Sequence, residues 1–167
     1  MKALRKFVTL LAISGIAVAC GDSTDTGNGN GNGGITVADI AGNYTATKFE
    51  YTMIDPPNAS LDLIALTGEL TVNIATDGSF TASLLNPLAP PAVSFSGTIT
   101  ISGSTLTLTV SDTVTAGTIE LLPEEPFVFD TFTLSGDQLT LSASSGIDFD
   151  FGAGAVPATL LLIATRS

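Results

Sequence analysis

The chain has 167 residues, with 16 acidic side chains against five basic ones and neither histidine nor tryptophan. Three of the basic residues are Lys2, Arg5 and Lys6, so only Lys48 and Arg166 remain beyond the N-terminus, which excludes the cationic surface that nucleic acid or an anionic membrane face requires. With no histidine, and Cys20 as the single cysteine, the usual general base, thiol nucleophile and zinc ligands are missing too. The expectation is therefore a protein that is not an enzyme and holds no metal or cofactor.

In chain order, Lys2, Arg5 and Lys6 form a basic start, followed by uncharged residues from Phe7 to Ala19 with small residues gathering at the end, the pattern of a secretory signal over residues 1–19. At ~1.5 Å per helical residue this stretch covers roughly 20 Å, short of the ~30 Å hydrocarbon core, so a permanent span is not expected. Ala17-Val18-Ala19-Cys20 resembles a bacterial lipobox, departing from it in having Ala17 where the motif usually has Leu. The resemblance implies that Cys20 is lipidated through its thiol and becomes the new N-terminus. The rival reading is ordinary cleavage after Ala17-Val18-Ala19, leaving Cys20 free. Lipidation gives a purpose to a cysteine that has no disulfide partner. Two or three acyl chains, at ~0.8 kcal/mol per buried CH₂, would fix the chain to a membrane. Gly21, where an Asp would imply inner-membrane retention, implies by the same resemblance a place in the cell envelope at the outer membrane.

Asp22 to Gly34 alternates Gly with Asn after two acidic positions and has nothing apolar to bury. Residues 20–34 are thus expected to be the anchored cysteine and a flexible linker, spanning roughly 20 Å as a coil. The texture changes at Ile35, where a domain over residues 35–167 begins. Ile35–Ile40 predicts a single turn, and Gly42–Ile54 a long first strand. Leu61–Thr67 fits either a buried strand or a short helix. The helix is preferred because Asn58 or Ser60 can cap it.

Beyond Gly68 the apolar residues alternate strictly, first at Leu70, Val72 and Ile74, then at Phe80, Ala82 and Leu84 after the turn Thr76-Asp77-Gly78. A proline-rich loop, 86–91, precedes a strand with Val93, Phe95, Ile99 and Ile101, in which Gly97 marks a bend. Leu106, Leu108 and Val110 follow, then a strand over Thr118–Leu122. In Phe127, Phe129, Phe132 and Leu134 the apolar step passes from odd to even numbers, which predicts a bulge near Asp130-Thr131. Leu139–Ala143, Ile147–Phe151 and Pro157–Arg166 complete the set, the last with four consecutive apolar residues, Leu160–Ile163. Eight to ten short strands with turn residues between them predict an all-β, antiparallel up-and-down barrel or a sandwich, of which the barrel alone leaves no edge unpaired.

At this point the domain resembles the lipocalin-like, or calycin, barrels of bacterial lipoproteins. A short turn leads to Gly42-Asn43-Tyr44, where lipocalins have Gly-x-Trp, and Arg166 stands on the last strand, where they place an Arg across that aromatic. The resemblance implies that Gly42, Tyr44 and Arg166 close one end of the barrel. Tyr44 in place of Trp, the lack of a disulfide and the lack of a helix after the last strand are departures from the pattern. The resemblance also implies an interior able to hold a small hydrophobic ligand, with Phe80, Phe95, Phe129, Phe132 and Leu139 as its lining; plain core packing accounts for the same residues. Asp148 and Asp150 share a strand face and read as solvated carboxylates. Asp62 and Glu69 are the only suggestion of the paired carboxylates that a hydrolase without histidine needs. The function expected is thus a lipid-anchored envelope protein whose partners are the membrane, through its lipid, and a small hydrophobic ligand. A structural or protein-docking module comes second, and a carboxylate hydrolase third.

Overall fold

Strict alternation of apolar with Thr or Ser gives an extended chain one greasy and one hydroxyl-bearing face, and the greasy faces can be hidden together only if the sheet curls. In the computed structural model, which describes residues 34–167 apart from 56–58, 89, 117–118, 123–124 and 153, the sheet does so. Its strands are β1 (Gly42–Met53), β2 (Ser60–Asp62), β3 (Glu69–Ile74), β4 (Ser79–Leu85), β5 (Val93–Ser102) and β6 (Thr105–Val110). A small hairpin follows, β7 (Val114–Ala116) and β8 (Ile119–Leu121), and then β9 (Phe127–Phe129), β10 (Thr131–Ser135), β11 (Gln138–Asp150) and β12 (Ala155–Arg166). Ten of these form one antiparallel sheet in the order β10-β11-β12-β1-β3-β4-β5-β6-β9, with β2 beside β1, while β7 and β8 pair only with each other. No helix occurs among the described residues. The signal, Cys20 and linker expectations fall on residues outside those described, except for Gly34.

The two ends of the sheet belong to neighbouring pieces of chain. β9 pairs with β6 and β10 with β11, and Asp130 alone separates β9 from β10, so the barrel is nearly closed through one kinked strand. Asp130 pins this seam: its Oδ2 accepts the Ser144 amide at 2.6 Å and the Ser144 hydroxyl at 2.5 Å. The change of apolar parity in the sequence lies at this kink.

β1 is the other organising strand. One of its edges runs along β12 from Tyr44↔Arg166 to Met53↔Ala158. The opposite edge is shared, Gly42–Thr45 pairing with β3 and Glu50–Thr52 with β2. A register shift between Ala46 and Lys48 makes Thr47 the extra residue, with its hydroxyl donating to the Ile163 carbonyl at 3.3 Å. The bulge turns Phe49 and Tyr51 to the same side as Tyr44 and Ala46, and all four are buried.

The helix preferred for Leu61–Thr67 is corrected. Ser60–Asp62 is a strand, paired through Tyr51↔Leu61, and residues 63–67 are turns. Once Leu61 is committed to the ladder, too little chain remains before Gly68 to pay for a helix nucleus. Asp62 Oδ1 instead gathers the amides of Phe49, Ile64 and Ala65 at 3.1, 3.0 and 3.4 Å. Two further expectations change. The separate runs beginning at Leu139 and Ile147 belong to one strand, β11, with a register shift between Ala143 and Ile147, and Ile119–Leu121, within the strand expected at 118–122, is the second arm of a hairpin whose first arm, β7, has too few apolar residues to show a period.

The core is the barrel interior, filled from every strand of the large sheet except β2, with Tyr44, Tyr51, Phe80, Leu106, Phe129, Phe149 and Leu160 among its most buried members. β5 bends tightly against β6 at Gly97, where a Cβ would stand 1.9 Å from the Thr109 carbonyl oxygen, so only glycine permits that approach. Phe80 lies opposite Gly97 and meets Phe95 edge-on at 6.0 Å.

Candidate functional site

At the end of the barrel formed by the start of β1 and the end of β12, Arg166 ties the first strand, the last strand and the turn before β1 together. Arg166 donates from Nε and Nη2 to the Tyr44 hydroxyl at 3.0 and 2.7 Å, and from Nη2 to the Asp39 carbonyl at 2.6 Å. Its guanidinium carbon lies 5.4 Å from the centre of the Tyr44 ring. Gly42, with φ of +151°, leaves room for this arm: a Cβ there would come within 3.1 Å of the Arg166 side chain. The turn beneath is tied by Asp39, whose Oδ2 accepts the Thr36 amide at 2.7 Å and the Thr36 hydroxyl at 2.6 Å. Those two bonds hold the Asp39 carboxyl below its usual value.

Inside the barrel lies an apolar chamber of about 100 Å³. Phe80, Phe95, Phe129 and Leu139 line it, together with residues that the alternation did not single out, notably Phe49, Tyr51, Leu160 and Leu162. Phe132 is buried in the core but does not border the chamber. Among the described residues no carboxylate lines it, and Asp62 is occupied by backbone amides, so the two candidate acids Asp62 and Glu69 do not meet there. Phe49, Tyr51, Leu160 and Leu162 were hidden for two reasons. The bulge at Thr47 breaks the parity that links Tyr51 to Tyr44, and in Leu160–Ile163 an unbroken apolar run conceals which alternate residues face inward.

Compared with known proteins, the chain matches no family model and no curated protein. The case for a site therefore rests on geometry.

A second space, of about 210 Å³, lies beside the β7–β8 hairpin. It shares Tyr51, Ile119, Leu121 and Phe127 with the chamber, so these four side chains stand between the two. Its remaining lining includes Glu120, Glu125 and Asp148 and no lysine or arginine. Tyr51 stacks on Phe149 with ring centres 4.1 Å apart and planes at 17°, and Phe149 meets Phe151 edge-on at 5.0 Å. Burial raises the Tyr51 phenol well above its usual pKa, so it stays protonated and able to donate. Asp150 takes a structural part: its Oδ1 accepts the amides of Gly152 and Gly154 at 2.7 and 2.9 Å.

A wider depression of about 590 Å³ lies on the outside of β1, β3, β4 and β5. Hydroxyls and amides border it, in the cross-strand rows Thr45-Thr71-Ser83-Ser94 and Asn43-Asn73-Thr81-Ser96. Asn73 and Asn43 already bond each other there at 2.6 Å. A wide, solvated surface of this kind offers neither the exclusion of water nor the converging groups of a ligand site.

Proposed function

We propose that this chain is a lipid-anchored protein of the bacterial cell envelope, held at the outer membrane through Cys20 and a linker over residues 20–34, whose lipocalin-like barrel binds a small hydrophobic molecule without transforming it. The observation that supports the binding is the apolar chamber and its neighbouring space, whose linings share Tyr51, Ile119, Leu121 and Phe127. Alone, neither the chamber at about 100 Å³ nor its neighbour at about 210 Å³ reaches the ~300 Å³ at which ligand pockets begin. Joined by rotation of those partition side chains, they reach it. The small chamber also favours a second reading, a structural or docking module with a filled core.

Mass spectrometry of small molecules co-purifying with the chain separates the two. A bound apolar species is expected. Its consistent absence, with no uptake of added apolar probes, would leave the module. The anchor has its own test: Cys20→Ser is expected to move the protein from the membrane to the soluble fraction, and an unchanged distribution would refute lipidation.

A further inference from the structure

A carrier of wholly apolar cargo has no use for a polar atom in its core, because burying a hydroxyl without a partner is unfavourable. Tyr51 is 3% exposed, yet its hydroxyl has no hydrogen-bond partner among the described residues. Tyr44, on the same strand and equally buried, has its hydroxyl bonded twice by Arg166. The difference is not explained by a need for an aromatic at position 51, since phenylalanine would supply the same stacking on Phe149 without the hydroxyl. Burial alone accounts for the raised Tyr51 pKa; no hydrogen bond contributes to it.

Tyr51 is one of the four residues common to chamber and neighbouring space, so a molecule occupying both would lie against it. On the outer side of that partition the lining carries Glu120, Glu125 and Asp148 with no cation. The two basic side chains of the domain are engaged elsewhere, Lys48 with Glu50 at 2.9 Å and Arg166 with Tyr44. Carboxylates without a counter-ion raise the local negative potential and repel an anionic head group.

Resting on the carrier reading above, we infer that Tyr51 is the polar anchor of the binding site, and that the ligand class is a small molecule with an apolar body and one uncharged or cationic hydrogen-bonding group, anions being rejected by Glu120, Glu125 and Asp148. The apolar body lies in the chamber, the polar group bonds the Tyr51 hydroxyl, and the acidic rim selects against fatty acids and other carboxylates.

Four probes that share one ring test this: benzene, benzyl alcohol, benzylamine and benzoate, titrated into the full chain at neutral pH and followed by NMR. An apolar cavity of roughly 150 Å³ takes benzene, more than the chamber of about 100 Å³ but less than that chamber joined to its neighbour of about 210 Å³, so binding of the ring also tests that the two spaces join. Benzyl alcohol and benzylamine are expected to bind roughly tenfold or more tightly than benzoate. In Tyr51→Phe the ratio of benzyl alcohol to benzene affinity is expected to fall roughly 3- to 10-fold, the worth of one hydrogen bond. In the double variant Glu120→Gln/Glu125→Gln, benzoate is expected to gain affinity while benzyl alcohol does not. If benzene binds but the alcohol, amine and carboxylate do so equally, or Tyr51→Phe leaves the ratio unmoved, the anchor is refuted and the carrier stands. If none of the four binds, the carrier reading itself fails.

Discussion

The chain has two tyrosines, and they sit on one strand, on one face, at opposite ends of the barrel. Tyr44 is sealed into a network: Arg166 bonds its hydroxyl twice, lies over its ring, and reaches on to the Asp39 carbonyl. The Tyr51 side chain makes ring contacts, with Phe149 and Phe49, and its hydroxyl bonds none of the described residues. One end of the barrel spends its polar groups on holding the sheet together. The other buries a donor that the fold does not use, next to space the fold does not fill. At equal burial, that contrast is what the proposal builds on: a structural tyrosine at one end and, at the other, one whose hydroxyl the fold leaves unbonded.

Substitutions should expose the asymmetry, beginning with the closed end. Arg166→Ala removes the donors to Tyr44 and Asp39 and uncovers the Tyr44 ring. A loss of about 3 kcal/mol is expected in urea unfolding, from charged hydrogen bonds and the cation–π contact together. Tyr44→Phe deletes only the acceptor and is expected to lose about 1–2 kcal/mol by the same measurement. Tyr51→Phe is expected to have the opposite sign, a gain of up to about 1 kcal/mol, because a buried hydroxyl without a partner is removed and the stack is kept. A loss comparable to that of Tyr44→Phe would mean that Tyr51 is structural too.

The smallest effect expected is on acid stability. Asp39 at the closed end and Asp130 at the seam are both held below the usual aspartate pKa, by Thr36 and Ser144 respectively. A lowered folded-state pKa means stability that is present above the unfolded value and lost as pH falls through the folded one, so the melting temperature should decline below roughly pH 4. Asp130→Asn, which keeps the shape but loses the charge, should flatten part of that decline; an unchanged profile would remove Asp130 from the account. Both carboxylates are open to solvent, so the decline should be shallow.

The barrel was legible in the sequence because burial on one face imposes a period of two. Leu70-Val72-Ile74 and Phe80-Ala82-Leu84 declare their inward sides without help from tertiary contacts. The seam at Asp130 was legible for the same reason, as a change of parity. What escaped were places where the period is broken or masked. Thr47 inserts one residue into β1, so Tyr44 and Tyr51, seven positions apart, face the same way although counting by twos puts them on opposite sides. Leu160–Ile163 is apolar on both faces, so nothing in it distinguishes Leu160 and Leu162, which are buried, from Leu161 and Ile163, which are half-exposed. Leu61 looked helical because its pairing with Tyr51 is set by a strand ten residues earlier in the chain. Of the candidate site, the phenylalanines were readable as inward-facing, but the partition between chamber and neighbouring space is a product of how β1, β8 and β9 meet.

The carrier proposal places its ligand where the chamber and its neighbouring space meet, against Tyr51. With two tyrosines in the whole chain, selective ¹³C-tyrosine labelling gives one ring signal for each end. Both rings border the chamber, but only Tyr51 borders the neighbouring space as well, so on titration with benzyl alcohol the Tyr51 signal is expected to move in a saturable way and further than the Tyr44 signal. No movement of either, or movement of Tyr44 alone, would contradict it.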